Sequence, residues 1–414
     1  MENRKFALYF LFYFGLTYSL SIYFYNLGFF DYYDIFFNAD VNMNIKSFTT
    51  GWDGRKALSH AFLEVFSVVT KALSTILSAI FPFFKKNDIQ IYMALAICPA
   101  TSTFGLYFIK KIINLIYAEN KNTTLVILLY SLCFSTLLFS IIPESFILSN
   151  AAILYLIYLY TKDSENVKNP IKSNEKQWIT ASIIVTGITI TNVFIFAIIY
   201  GSNLLINKKA SLSKTLLVTL SKTFFTLFCV ITFYYSFHYI LDYNLGWEGS
   251  GEYITKFSRF EFLSIATNLA NIGHASFASF VAFNYTTLKN KFSLEDSIIL
   301  NNISFAHESS LSLGLALLLL YTLIIIRCFL NKNYTYIEKL KTPLSLIIAF
   351  NFALHSVFGK EMFLYSLHWF SSSFILISSL LISNRKALLI TLFFVAISNF
   401  FFIFSLSSLI SSSL

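Results

Sequence analysis

Residues Phe6 to Tyr25 read FALYFLFYFGLTYSLSIYFY, a run of twenty residues without a charged side chain. A run of about this length spans the apolar core of a bilayer as an α-helix. Comparable runs recur to the end of the chain, which is 56% hydrophobic and 12% charged, against about 25% charged residues in an average soluble domain. The sequence therefore predicts an all-α, polytopic membrane protein with about ten or eleven transmembrane helices in a single transmembrane domain, residues 1–414.

Basic residues set the predicted orientation. Arg4 and Lys5 precede the first run and are expected to keep the N-terminus in the cytoplasm, because cytoplasmic loops are enriched in Lys and Arg. The run lacks a small-residue cleavage site, so we expect it to remain as the first helix. The formal charge of +9 is then explained by basic loops and contact with anionic lipid rather than by nucleic-acid binding. The predicted location is a bacterial inner membrane.

The predicted first outer loop covers residues 26–88. Within it, residues 61–84 are apolar enough to span, but Glu64 and Lys71 interrupt them, and charged groups at bilayer depth are costly. We therefore expect a helix that lies along, or dips into, the outer surface. The next helix, at about 89–109, would then run inward and end at the basic pair Lys110 and Lys111, as the enrichment of cytoplasmic loops in basic residues requires.

The rest of the chain continues this alternation of outward and inward helices. Residues 241–310 are predicted to form a second outer segment with juxtamembrane helices, and a weak spanning pair at about 262–283 remains an alternative. No internal repeat is strong enough to predict an inverted-repeat transporter. The other predicted spans cover about residues 124–142, 146–160, two joined helices that turn near Asn192, 216–240, a run that ends at Arg327, 343–358, 362–382 and the C-terminal run.

Motifs of soluble catalytic domains are absent from the sequence, which contains no P-loop, GxSxG, HExxH or GxGxxG in a strand-turn-helix context. The four cysteines fall inside apolar runs without CxxC spacing and are predicted to be packing residues. We predict neither a metal site nor a cofactor. The chemistry is therefore expected from the few polar side chains that the predicted topology gathers on the outer face.

Two acidic residues are the candidate catalytic groups. Asp40 lies in the first outer loop, where a partly desolvated carboxylate could take the proton from an attacking hydroxyl. Its alternative role is an Asx turn or a helix N-cap. Glu144 follows Pro143 at the outer end of a span and could orient an acceptor; its alternative role is an acid at a helix N-terminus, which the helix dipole favours.

Further residues are candidates for binding a substrate. His60 could hydrogen-bond a phosphate, and basic residues near the outer face could anchor a lipid phosphate, although snorkelling toward head groups is an alternative. The segment that starts at Glu361 could equally belong to an interfacial aromatic belt. The predicted substrate-binding residues are Asp34, Arg55, Lys56, His60, Lys360, Glu361, Tyr365 and His368.

This arrangement resembles the GT-C superfamily of integral-membrane glycosyltransferases, in a layout similar to protein O-mannosyltransferases and aminoarabinose-lipid A transferases. Asp40 matches the first-loop acid and Glu144 the second acid. His60-Ala61-Phe62-Leu63 stands where those families carry a His-Pro-Pro-Leu-like motif, without its prolines. The resemblance covers mainly residues 1–160, with a weaker match at 361–369.

The resemblance implies transfer of a sugar from a polyprenyl-phosphate carrier to a glycan, lipid or protein on the extracytoplasmic face, with Asp40 as the base. The implied partners are this lipid-linked sugar and membrane lipids, and no metal is implied. Two other functions stay open from the residues. One is a lipid-linked glycan flippase or transporter, which would place ionisable groups and broken helices at mid-membrane. The other is a polysaccharide polymerase or ligase.

Overall fold

The structure is a computed structural model that describes residues 2–28, 30, 41–49, 60–117, 120–165, 175–241, 262–282, 286–287, 300–301, 308–330, 335–358 and 362–411. These residues are almost entirely helical, which confirms the all-α prediction. The β-structure within them is one antiparallel pair of two-residue strands, β1 (Thr286–Thr287) and β2 (Leu300–Asn301).

A π-helical turn at Asn203–Asn207 extends α9. In chain order the helices are α1 (Glu2–Asn26), α2 (Val41–Thr49), α3 (Leu63–Ile80), α4 (Lys86–Tyr117), α5 (Thr123–Leu132), α6 (Phe134–Ile141), α7 (Ser145–Glu165), α8 (Glu175–Ile188), α9 (Asn192–Ser202), α10 (Leu212–Leu241), α11 (Phe262–Ala278), α12 (Glu308–Leu330), α13 (Thr335–Phe358), α14 (Met362–Tyr365), α15 (Leu367–Leu381) and α16 (Arg385–Ser411).

Seven helices in the described ranges are long and apolar enough to cross a membrane: α1, α3, α4, α10, α12, α13 and α16. The bent pair α5 and α6 would be an eighth span. The chain is therefore a multi-pass membrane protein. The predicted total of about ten or eleven is reached if α7, α8, α9 and α15 also cross and α3 does not, and it stays a prediction. Residues 262–278 form one helix, α11, rather than a pair.

Helices α1 and α4 run antiparallel. Along their contact, Tyr18 donates a hydrogen bond to the carbonyl of Tyr92 at 3.0 Å, and the hydroxyls of Tyr13 and Ser102 lie 3.1 Å apart. The Lys110 ammonium lies 3.6 Å from the centroid of the Phe6 ring, so the end of α4 is beside the start of α1. We name the two sides of the protein after α4, as its Lys86 end and its Lys110 end.

This antiparallel pairing bears on α3. Since α1 ends and α4 begins at the Lys86 end, the chain between them makes an even number of crossings. The other helix described there, α2, has 9 residues and is about 14 Å long, too short to span. The pairing therefore favours the prediction that α3 does not cross, although its length and composition would allow it to.

The sides of α3 are reversed relative to those of a water-soluble helix. Its polar side chains are buried against the protein, whereas its outward side chains are apolar, which fits a helix whose outer side faces lipid. The buried polar side chains are Glu64, Ser67, Thr70 and Ser74, and the exposed apolar ones include Val68, Val69, Leu73, Ile76 and Ile80.

The predicted span at 124–142 is not a single straight helix, and this prediction needs correction. Helices α5 and α6 meet at Cys133 with a bend of 57°. The bend frees the N–H groups of Phe134 and Ser135 from the preceding turn, and they donate instead to the carbonyls of Phe280 and Ser279 at 3.1 and 3.0 Å. A break at membrane depth is tolerated where other protein groups satisfy the backbone in this way.

Asn399, a fully buried residue of α16, joins the two chain segments at this break. Its amide nitrogen donates to the carbonyls of Leu132 at 2.7 Å and Phe280 at 3.0 Å. Its amide oxygen accepts from the N–H of Ala282 at 2.8 Å. One side chain from the last helix thus satisfies three backbone groups around the bend.

Two glycines permit close packing. A Cβ added at Gly273 in α11 would collide with the carbonyl oxygen of Gly314 in α12 and lie 2.7 Å from the N–H nitrogen of Leu318. A Cβ added at Gly187, near the end of α8, would lie 2.5 Å from the ring of Phe62. Larger residues at either position would therefore separate the packed segments.

Candidate functional site

Glu144 lies deep in the bundle because the span before it is broken. Its backbone N–H donates to the Cys98 sulfur at 3.3 Å, and the Cys98 thiol donates to the Glu144 carbonyl at 3.4 Å. Cys98 is twelve residues from Lys86 and twelve from Lys110 in α4, or about 18 Å along the helix from each. Glu144 therefore lies level with the middle of α4. A glutamate at this depth in a membrane costs free energy and marks a candidate functional site.

The carboxylate of Glu144 is 4% exposed and held on both oxygens. Oε1 accepts from the backbone N–H of Ser145 at 2.7 Å and from its hydroxyl at 3.2 Å, at the start of α7. This oxygen therefore has the alternative role given above, that of an acid at a helix N-terminus. Oε2 accepts from the Asn44 amide of α2 at 3.0 Å, which ties the carboxylate to the first loop.

A cluster of rings lies beside Glu144. Phe146, two residues further along α7, contacts Tyr365 and His368, with centroids 5.3 and 5.5 Å apart. The ring of His355 stacks on Tyr365 at 4.4 Å and lies 5.9 Å from that of His368. We call Phe146, His355, Tyr365 and His368 the ring cluster.

The positions of Phe146 along α7 and of His355 along α13 agree with these contacts. At the Lys110 end, the Tyr160 hydroxyl of α7 donates to the carbonyl of Lys339 in α13 at 2.8 Å. Counting from there, Phe146 is fourteen residues away along α7 and His355 sixteen along α13, about 21 and 24 Å. Phe146 and His355 therefore lie at nearly the same depth, as measured from the Lys110 end toward the Lys86 end.

His60 is fixed to the end of α8. Its Nδ1–H donates to the carbonyl of Ile188 at 2.7 Å, and the N–H of Phe62 donates to the carbonyl of Gly187 at 2.9 Å. The surface helix predicted within residues 61–84 is α3, which begins at Leu63. His60 acts electrostatically on His368, so this chain segment and the ring cluster lie in the same region of the protein.

The structure thus brings together four of the residues predicted from sequence. Glu144, His60 and the pair Tyr365 and His368 come from three separate parts of the chain and lie in one region of the protein. The remaining predicted residues lie outside the described ranges: Asp34, Asp40, Arg55, Lys56, Lys360 and Glu361.

The site residues predicted from sequence do not include Asn44, Cys98, Phe146 or His355. Asn44 and Cys98 carry no local signal, because their role depends on α2 and α4 packing against the Glu144 turn. A weak signal existed for His355, which ends an apolar run thirteen residues before His368. Two histidines that flank one turn between spans lie on the same side of the membrane.

The site combines a buried carboxylate, imidazoles and aromatic faces. A carboxylate can accept a proton from a hydroxyl, and imidazoles and aromatic rings can orient a ligand. In the described ranges, no group of three or more His, Cys, Asp or Glu is placed to hold a metal ion.

The chain was compared with protein-family models, with curated proteins and with solved structures, and none of the three comparisons found a match.

Proposed function

We propose that the protein is a membrane glycosyltransferase of the GT-C type. It would transfer a sugar from a polyprenyl-phosphate carrier to a hydroxyl of a glycan, lipid or protein at the extracytoplasmic face. The observation that supports this is that Glu144, His60 and the pair Tyr365 and His368, from three different parts of the chain, lie in one region of the protein.

In the proposed reaction, the acceptor hydroxyl forms a bond to the anomeric carbon while the bond from that carbon to the phosphate oxygen breaks. Polyprenyl phosphate leaves, the anomeric centre inverts, and a carboxylate accepts the hydroxyl proton. Asp40 is the proposed base. In the sequence it directly precedes α2, and Asn44 of α2 donates to Glu144. Glu144 would orient the acceptor.

Glu144→Gln tests the proposal. Gln keeps the shape of the side chain, and Asn44 can turn its amide to accept from the new NH2 group, so we expect stability to change by less than about 1 kcal/mol. Transfer should fall by about 100-fold, because an acceptor held about 1 Å out of place reacts about that much more slowly. Asp40→Asn should abolish transfer, because it removes the proposed base.

The measurement is a comparison of glycolipids and glycans from cells that lack the protein and carry wild type or a variant. Glu165→Gln is the matched control, since Glu165 is the exposed last residue of the same helix. Full transfer by Glu144→Gln would remove this carboxylate from the role. Unchanged glycans on deletion would remove the transferase proposal itself.

A second candidate function is movement of a lipid-linked glycan across the membrane. The break between α5 and α6, together with Glu144 at mid-membrane depth, is an arrangement that transporters use. Purified protein in vesicles distinguishes the two functions. A flippase would move a fluorescent polyprenyl-linked sugar between leaflets without an acceptor, whereas a transferase would leave its distribution unchanged and need the acceptor for turnover.

A further inference from the structure

Three polar atoms near the ring cluster are buried without a hydrogen-bond partner. They are Nε2 of His355, Nε2 of His368 and the hydroxyl oxygen of Ser366, and their residues are 4%, 3% and 0% exposed. Buried polar atoms are normally paired, so three together in the described part of the chain need an explanation, and a ligand is one.

Two of the three atoms belong to the turn between α14 and α15, and the third belongs to α13, which packs against that turn. Ser366 separates α14 from α15, His368 is the second residue of α15, and His355 packs on Tyr365 directly before Ser366. The His355 and His368 rings are nearly parallel, with 18° between their planes. Flat rings and a few converging polar atoms are the usual lining of a small-molecule site.

The neighbouring charge limits which ligand can bind. Phe146, which contacts His368, is two residues from Glu144, so the Cα atoms of Phe146 and Glu144 are at most about 7 Å apart. That carboxylate would repel a phosphate, whereas it attracts hydroxyl hydrogens. A neutral imidazole has one donor and one acceptor nitrogen, and a serine hydroxyl can do both, so these groups match ligand hydroxyls.

We propose that His355, Ser366 and His368 form a subsite for an uncharged, hydroxylated ring, as in a sugar, rather than for a phosphate. This rests on the proposed function and adds to it. The sugar ring lies against the ring cluster, beside Glu144, and the phosphate of a lipid-linked donor lies elsewhere in the protein.

Binding can be measured without transfer. Wild-type protein in neutral-lipid nanodiscs is mixed with methyl glycosides of the common hexoses, and saturation-transfer NMR reports which ring protons contact the protein. Inorganic phosphate is tested separately by the width of its phosphorus signal. At least one glycoside should bind, and phosphate should not.

The variants assign binding to the subsite. His355→Phe and His368→Phe keep a flat ring but remove its nitrogens, and each should weaken glycoside binding about tenfold. Ser366→Ala should weaken it about fivefold. Ser379→Ala is the matched control, since this buried hydroxyl on the same helix already donates to the carbonyl of Leu376. His368→Gln, which restores hydrogen-bonding groups, should recover part of the loss.

The outcomes separate this inference from the proposed function. If the wild type binds phosphate and His368→Phe abolishes this binding, the proposal that the subsite takes an uncharged ligand is wrong. Absence of glycoside binding, with Glu144-dependent transfer intact, would also overturn the subsite but leave the transferase. Glycoside binding that the histidine variants weaken, in a protein that transfers nothing, would support the subsite and remove the transferase.

Discussion

Replacement of Asn399 by Leu tests whether its side chain holds the broken span. Leu has nearly the same size but no polar atoms, so the carbonyls of Leu132 and Phe280 and the N–H of Ala282 would lose their hydrogen bonds. A lost side-chain hydrogen bond in a membrane protein costs about 0.6 kcal/mol on average, and a buried group left unsatisfied about 1–3 kcal/mol. The Phe280 carbonyl keeps its bond from the N–H of Phe134, so two groups are left unsatisfied. We therefore expect a loss of about 2 to 4 kcal/mol in the free energy of unfolding.

The assay is reversible unfolding in mixed micelles, followed by circular dichroism. Asn384→Leu is the matched control directly before the same helix, because Asn384 is exposed and accepts one hydrogen bond, from the N–H of Ala387 at 3.1 Å. That change should cost about 1 kcal/mol or less. Equal losses in the two variants would refute the idea that Asn399 holds the bend. Since the bend sets the depth of Glu144, Asn399→Leu should also lower any transfer activity.

Three further predictions concern packing and orientation. Gly273→Ala should destabilise the protein by about 1–3 kcal/mol through overpacking in micelle unfolding, whereas Gly15→Ala, whose Cβ meets nothing within 4 Å, should be neutral or slightly stabilising; equal effects would contradict the close crossing. Gly187→Ala should push away Phe62 and so His60, and should lower transfer activity. Unchanged transfer would show that His60 is dispensable. Lys85→Cys should react with a membrane-impermeant maleimide from outside the cell, and labelling only from the cytoplasm would reverse the orientation.

The hydrophobic runs were enough to predict most of the helices, because about twenty apolar residues in a bilayer have few alternatives to a helix. The decision that α3 stays on one side also followed from Glu64 and Lys71, and the antiparallel contact of α1 with α4 supports it. The bend at Cys133 could not be predicted. Its neighbours in sequence are ordinary helix formers, and the groups that satisfy it lie about 140 residues further on.

Part of the site could be predicted from residue type alone. Glu144 and His368 stand out because charge and imidazole are rare in this chain, and rarity in a membrane segment is a usable signal. Asn44 does not stand out, since asparagine is common here and its value comes only from the distance of 3.0 Å to Glu144. Residue type can therefore indicate which side chains belong to a site, whereas the supporting partners depend on packing between distant helices.

The partners of the bend at Cys133 have a consequence for biosynthesis. As the ribosome releases α5 and α6, neither the carbonyls of Ser279 and Phe280 nor the amide of Asn399 has yet been made. Until then the conformation of lowest free energy for this segment is an unbroken helix, in which the backbone groups form hydrogen bonds with one another. The nascent chain would then rearrange only after α16 inserts, so a truncated product would be inert even if it contained every residue of the ring cluster.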